Sequence, residues 1–205
     1  MSINNESRER LIICAKKEFL EKGYEKASLR SICAEAELTT GAVYFLFKDK
    51  AGLFAAVVSK PIEELNALMM RHLAEEADED PAGYIHVPGD HDEFAAELVE
   101  LLYKYYDEMT ILLHKAQGSG YENLPDKVID LLEKGYLGTA ERLAGAAPGK
   151  RVNRYMLHWM THIQVDAFIH LLSHERDKDK ALEHIKPVLD MLVSSFVEYV
   201  IEDDK

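Results

Sequence analysis

From residue 39 to residue 50 the chain reads Thr-Thr-Gly-Ala-Val-Tyr-Phe-Leu-Phe-Lys-Asp-Lys, a set of side chains suited to gripping a polyanion. Thr39 and Thr40 place hydroxyls and backbone N–H groups at the amino end of a short helix, where phosphates dock. Gly41 and Ala42 are small and let that helix come close to a groove. Val43 and Phe47 are expected to face a core, which leaves Tyr44 to reach a phosphate through its hydroxyl. Lys48 and Lys50 flank the start of the next helix and are natural phosphate partners. Base readout falls to Thr40, Ala42 and Phe45, through mostly apolar contacts such as a thymine methyl. A plain helical hairpin accounts for the apolar spacing. It does not account for threonines and small residues on the outward face.

A second constellation could hold a metal. His158, His162, Asp166 and His170 follow one another at four-residue steps. Each step turns about 400°, so neighbours share a helix face while the ends of the run diverge. One ion could take His158 with His162, or His162 with Asp166, and a second helix would have to complete the shell. The alternative is a row of hydrogen-bonded polar groups at a buried interface. His91 and Asp92 form one more pair, and with His158, His162 and Asp166 a metal-dependent hydrolase could be imagined. No GxSxG, P-loop, dinucleotide fingerprint or HExxH segment accompanies it, so no enzyme and no cofactor are expected. Cys14 and Cys33 have no zinc spacing and are expected to be packed, reduced thiols.

The elements that must position these residues are helices. A first helix spans about 6 to 22, with Leu11, Ile12, Ala15, Phe19 and Leu20 on one face and Gly23 as its stop. Ser28 is placed as the N-cap of a second helix reaching about 36, Thr39 as the cap of a third over about 40 to 46, and Asp49 as the cap of a fourth. Pro61 is expected to end or kink that fourth helix, with the apolar pattern resuming from 62 to about 73. Residues 78–91 carry two prolines and two glycines and read as a loop. Further helices are expected at about 92–117, 125–145, 151–174 and 178–202, with no convincing strand.

Charge is unevenly spread. The chain carries a net charge of -13, yet residues 1–60 hold 10 Lys or Arg against 8 Asp or Glu. Phosphate affinity depends on a few local cations, so the acidic remainder does not exclude a nucleic-acid partner. No apolar run approaches the roughly 20 residues that span a bilayer, and the first residues lack a signal-peptide pattern, so a cytoplasmic location without membrane contact is expected. The last two helices are apolar over more than one stripe, which fits packing both on their own core and on a symmetric partner. An effector pocket is expected among the helices at 92–117, 125–145 and 151–174, from Tyr103, Tyr106, Met109, Leu113, His114, Gln117, Trp159, His162 and Phe168.

Taken together, the run from Ser28 through Ile32, Ala36, Leu38, Thr39, Gly41, Val43, Tyr44, Phe47, Lys50 and Leu53 resembles the TetR family of bacterial transcriptional regulators, over about the first 60 residues. The resemblance implies an all-α fold of about nine helices: a helix-turn-helix DNA-binding domain over 1–50, and an effector-binding and dimerisation domain over 51–205. It implies a homodimer paired through the helices at about 151–174 and 178–202, and a repressor released from a palindromic double-stranded operator by a small molecule. Ser28, Thr39, Thr40, Gly41, Ala42, Tyr44, Phe45, Lys48 and Lys50 are the expected DNA-contacting set. A metal- or pH-responsive regulator using His158, His162 and Asp166 is the variant of this reading. Three residues depart from the family pattern: Glu37 in place of a turn glycine, Leu46 in place of a polar contact residue, and Ala51 in place of a glutamate.

Overall fold

Gly23 and Ser28 set the first boundary of the fold. In the computed structural model of the chain, which describes residues 3–78 and 91–204, α1 (Ile3–Lys26) is interrupted at Gly23, where φ is 77°. Glycine adopts that left-handed conformation without a Cβ clash. Ser28 then caps α2 (Leu29–Glu35), its Oγ accepting from the Ser31 N–H at 3.4 Å. The chain continues through α3 (Thr40–Phe47), α4 (Lys50–Asp78), α5 (Asp92–Lys104), α6 (Tyr106–His114) and α7 (Leu124–Ala146). It ends with β1 (Lys150–Val152), α8 (Arg154–His174), α9 (Lys178–Val200) and β2 (Ile201–Asp203). The fold is all-α, with nine helices among the described residues.

Three expectations are corrected. The helix expected over 92–117 is two, broken at Tyr105, whose φ of -115° and ψ of 35° are not helical. The buried Leu102, Met109 and Leu112 keep one apolar register through the break, so periodicity could not reveal it. The Tyr105 hydroxyl and the Lys104 ammonium each donate to Glu64 at 2.7 Å, and these bonds hold the bend. Pro61 does not end the helix but lies inside a continuous α4: the one bond it forfeits is offset by burial of Val57, Val58, Leu65 and Leu68 along one face. Two three-residue strands exist where none was expected, paired antiparallel with Arg151 opposite Glu202. They are too short to show a period of two. Of the segment 78–91 read as a loop, residues 79–90 lie outside the described residues.

The chain forms two compact units, divided within α4 between Glu64 and Leu65. The first comprises residues up to Glu64 together with 104–124. Its core gathers Leu11, Ala15 and Phe19 of α1, Ile32, Val43 and Phe47 of the next two helices, and Phe54 and Val58 of α4. The rings of Phe19 and Phe54 meet edge to face at 4.9 Å, an arrangement worth about 1 kcal/mol beyond the area it buries. α6 packs on α1, adding Met109, Ile111 and Leu112 to this core. The second unit comprises 65–103 and the chain from 125 onward. There α8 starts at Asn153, which caps the Met156 N–H at 3.0 Å, and α9 starts at Asp177, which caps Asp179 and Lys180.

Candidate nucleic-acid interface

The interface is built on a turn that a short hydrogen-bond ladder holds. At the end of α2 the Leu38 N–H returns to the Cys33 carbonyl at 2.9 Å and the Glu37 N–H to the Ala34 carbonyl at 3.2 Å. This is a Schellman closure, which puts the residue after the cap in the left-handed region. That residue is Glu37, with φ of 54°. The family's usual glycine would sit there without strain, whereas glutamate costs about 1–2 kcal/mol. Arg10 of α1 offsets part of this, donating to the Ala36 carbonyl at 2.5 Å and to the Glu37 carboxylate at 3.0 Å.

α1 also clamps the start of α2. The Glu18 carboxylate is buried and accepts from the Ser28 N–H at 3.0 Å, the Ser31 hydroxyl at 3.1 Å and Lys22 at 3.0 Å. Burial by itself would raise the Glu18 pKa, but these three donors outweigh it and hold the carboxyl below its ordinary value. Sequence reading assigned Glu18 no role. Its only signal was a charged residue beside Phe19 on a buried face.

α3 presents the expected outward set. Val43 and Phe47 are buried, while Thr39, Thr40, Gly41, Tyr44, Phe45 and Lys48 are exposed and Ala42 is half-buried. Phe45 is 77% exposed, a large apolar ring turned to solvent on a helix whose opposite face is core. Thr39 occupies the N-cap position but makes no capping bond with its side chain, which leaves its hydroxyl for another acceptor or donor. Leu46 is half-buried.

The α3–α4 junction is a close approach of two helices. Lys48 has φ of 72°, a second non-glycine residue in the left-handed region. Asp49 accepts from the Gly52 N–H at 2.8 Å, and a Cβ on Gly52 would lie 1.9 Å from the Phe47 carbonyl oxygen. The glycine is therefore required by close approach of two helices, a constraint invisible in a helical sequence pattern. Lys50 is partly withdrawn: its ammonium donates to the Glu25 carbonyl at 3.1 Å and stands 4.8 Å over the Tyr24 ring. Burial lowers its pKa. Of the two lysines, Lys48 is the one turned to solvent.

Residues 12–57 match the description "Bacterial regulatory proteins, tetR family". The amino-terminal domain is that of the TetR family. Over 63 residues the chain is 36% identical to the HTH-type transcriptional repressor BepR of Brucella suis biovar 1 (strain 1330), a match spanning 29% of this chain and 30% of that protein. A transcriptional regulator of the TerR/AcrR family from Aquifex aeolicus VF5 aligns over 91% of this chain and 99% of its own, with a TM-score of 0.62 at 20% identity. NalD of Pseudomonas aeruginosa, a secondary repressor of the MexAB-OprM multidrug efflux pump, aligns over 98% and 99% with a TM-score of 0.57 at 22% identity. These two structures share the fold beyond the TetR-type domain.

The second unit holds a cavity whose wall differs from the residue set expected for an effector pocket. A cavity of about 50 Å³ lies among α4, α7, α8 and α9, with Tyr136, Thr139, Met160, Thr161 and Gln164 on its wall. None of the nine expected residues lines it. Tyr106, Met109, Leu113 and His114 lie on α6 and Gln117 just beyond it, all within the unit that carries the TetR-type helix-turn-helix. His114 and Gln117 are exposed. Tyr103 donates to the Glu175 carbonyl at 2.8 Å. Phe168 is core. On α8, Met160 and Thr161 face the cavity, whereas neighbouring Trp159 is 51% exposed and His162 is half-buried.

The histidine row runs along α8. His158 is exposed and bonds Glu133 through Nδ1 at 3.1 Å, its ring centroid 4.4 Å from that of His162. Asp166 and His170 are exposed further along. Three of these side chains do not come close enough to share an ion. Asp92 pairs with Lys186 at 2.7 Å. Burial raises the pKa of both Cys14 and Cys33, as for unreactive packed thiols. No helix among the described residues is long and apolar enough to cross a membrane.

Proposed function

We propose that the chain is a TetR-type transcriptional repressor that binds a palindromic operator as a homodimer and leaves it when a small effector occupies the helical domain. The observation that carries this reading is the outward face of α3, where Thr39, Thr40, Gly41, Tyr44 and Lys48 stand exposed on a helix anchored by Val43 and Phe47. Helix ends of this kind enter the major groove by their first residues, and flanking hydroxyls and lysines fix the register on phosphates. The repressor assignment is supported by the similarity to the repressors BepR and NalD.

Pairing is argued from α8 and α9. Tyr155, Trp159 and Ile163 are exposed at four-residue spacing on α8, and Met191, Val197 and Tyr199 are exposed on α9. A soluble chain rarely leaves such a patch uncovered. A second copy applied about a twofold axis covers it and supplies the second reader that half-sites about 34 Å apart demand. For release, α4 is the element shared by both units. An effector that favours a different tilt of α4 separates the readers, and a tenfold preference for the released form supplies about 1.4 kcal/mol.

The test is retardation of the DNA upstream of the chain's own gene, followed by footprinting. The expected result is a protected palindrome and its loss in a Tyr44→Ala, Thr40→Ala double variant that keeps wild-type helicity. Equal retardation of unrelated DNA would refute the reading.

A further inference from the structure

We propose that His72, Glu76 and His91 form a binding site for a divalent first-row transition-metal ion, with zinc the best match. Their ligand atoms all lie within 4.8 Å of one another. His72 and Glu76 stand four residues apart on α4, one above the other on a single face, with Nε2 to Oε1 at 3.1 Å. His91, just before α5, brings its Nδ1 to 3.8 Å from the same carboxylate oxygen. A hydrogen bond accounts for the first distance but not for the second, which exceeds hydrogen-bond reach. Two imidazoles and a carboxylate converging without direct contact among all three is the arrangement an ion at their centre would tighten. This donor set is one zinc uses, with a fourth position open.

The surroundings are those of a built site. The His72 side chain is 7% exposed, and its ring lies flat on Phe94 at 3.7 Å with an interplanar angle of 8°, so the imidazole plane is held. Arg142 donates to the backbone carbonyls of Glu76, at 2.9 Å, and of Ala77, which fixes the last turn of α4. Glu76 and His91 also belong to the wall of the cavity of about 50 Å³, beside Thr139, Thr161 and Gln164. That volume suits a coordinated water or a small donor and falls far below the roughly 300 Å³ of a drug-sized pocket. The ion would tie the end of α4 to the start of α5. That consequence rests on the regulatory reading above; the site itself does not.

The experiment uses the full-length chain stripped of metal and titrated with Co(II), whose visible absorption reports a low-symmetry four-coordinate shell, followed by competition with Zn(II). Expected are one ion per chain and at least tenfold weaker Zn(II) binding in both His91→Ala and Glu76→Gln, residues at the rim. A His158→Ala, His162→Ala double variant should bind as the wild type does. Zn(II) should also raise the unfolding midpoint of the wild type and leave that of His91→Ala unmoved. The proposal is overturned by absence of binding at micromolar Zn(II), by a loss smaller than tenfold in either rim variant, or by loss in the His158/His162 variant. Because the readout contains no DNA, its failure leaves operator binding untouched, and failure to retard DNA leaves the metal site standing.

Discussion

Lys48 and Glu37 are both left-handed residues without being glycine, and they separate strain from contact. Each conformation costs about 1–2 kcal/mol. Glu37 was legible as a position where the family expects glycine. Lys48 was not, because a lysine after an apolar helix carries no mark of a left-handed backbone. Replacing either by glycine should raise stability by about 0.5–1 kcal/mol, the strain relieved less the added freedom of the unfolded chain. Their effects on DNA should differ. On the proposed reading Lys48→Gly removes a phosphate contact from each half-site, so the slope of log K against log salt should fall by about 0.9 per contact. Glu37→Gly should leave that slope unchanged. Urea denaturation and retardation at several salt concentrations check both. A Lys48→Gly protein with an unaltered salt slope would remove Lys48 from the interface.

Helix ends were readable where a single side chain makes the cap. Gly23, Ser28 and Asp49 stand where their residue types placed them, because glycine at a stop and a short polar acceptor at a start are local chemistry. The clamp and the close approach were not readable, since both depend on residues brought together by packing. Glu18 serves α2 from 10 residues away in sequence. Gln at this position keeps one acceptor but forfeits the charge, and should cost about 1–3 kcal/mol at pH 7. The sign with pH follows from the depressed folded pKa. The contribution is complete above the unfolded value of about 4.3 and is lost as pH falls through the lower folded value. Wild type and Glu18→Gln should therefore converge in stability as pH falls below the folded value, as urea midpoints would register; a difference constant with pH would show that Glu18 acts by packing alone. Gly52→Ala tests the α3–α4 approach. Its Cβ cannot be housed 1.9 Å from the Phe47 carbonyl oxygen, so the junction must open, at a cost of about 1–3 kcal/mol. Operator affinity should fall with it, because the same junction aims α3. Thermal unfolding and retardation read the two effects, and an alanine variant of unchanged stability would contradict the geometry.

For the molecule as a whole, the sequence displayed the helical class and the excess of apolar residues near the carboxyl end, because both are sums over many positions. Which side of α8 faces inward is a matter of about 100° per residue, and neighbouring apolar residues blur that phase. Hence Trp159 was placed in a pocket although it stands exposed in line with Tyr155 and Ile163. The exposed row gives the twofold reading its sharpest test. Trp159→Glu puts a charge at the centre of the proposed contact while removing no core side chain, so each chain should keep its helical content. Native mass and sedimentation should show the wild type as a dimer and the variant as a monomer. Losing the second reader forfeits an effective concentration in the millimolar range, so operator affinity should fall by about 10²–10⁴. The unfolding midpoint of the wild type should also rise with protein concentration, as it must when folding and pairing are linked, and that of the variant should not. A variant that remains dimeric, or a monomer that holds the operator as tightly as the wild type, would show that α8 is not where two copies meet.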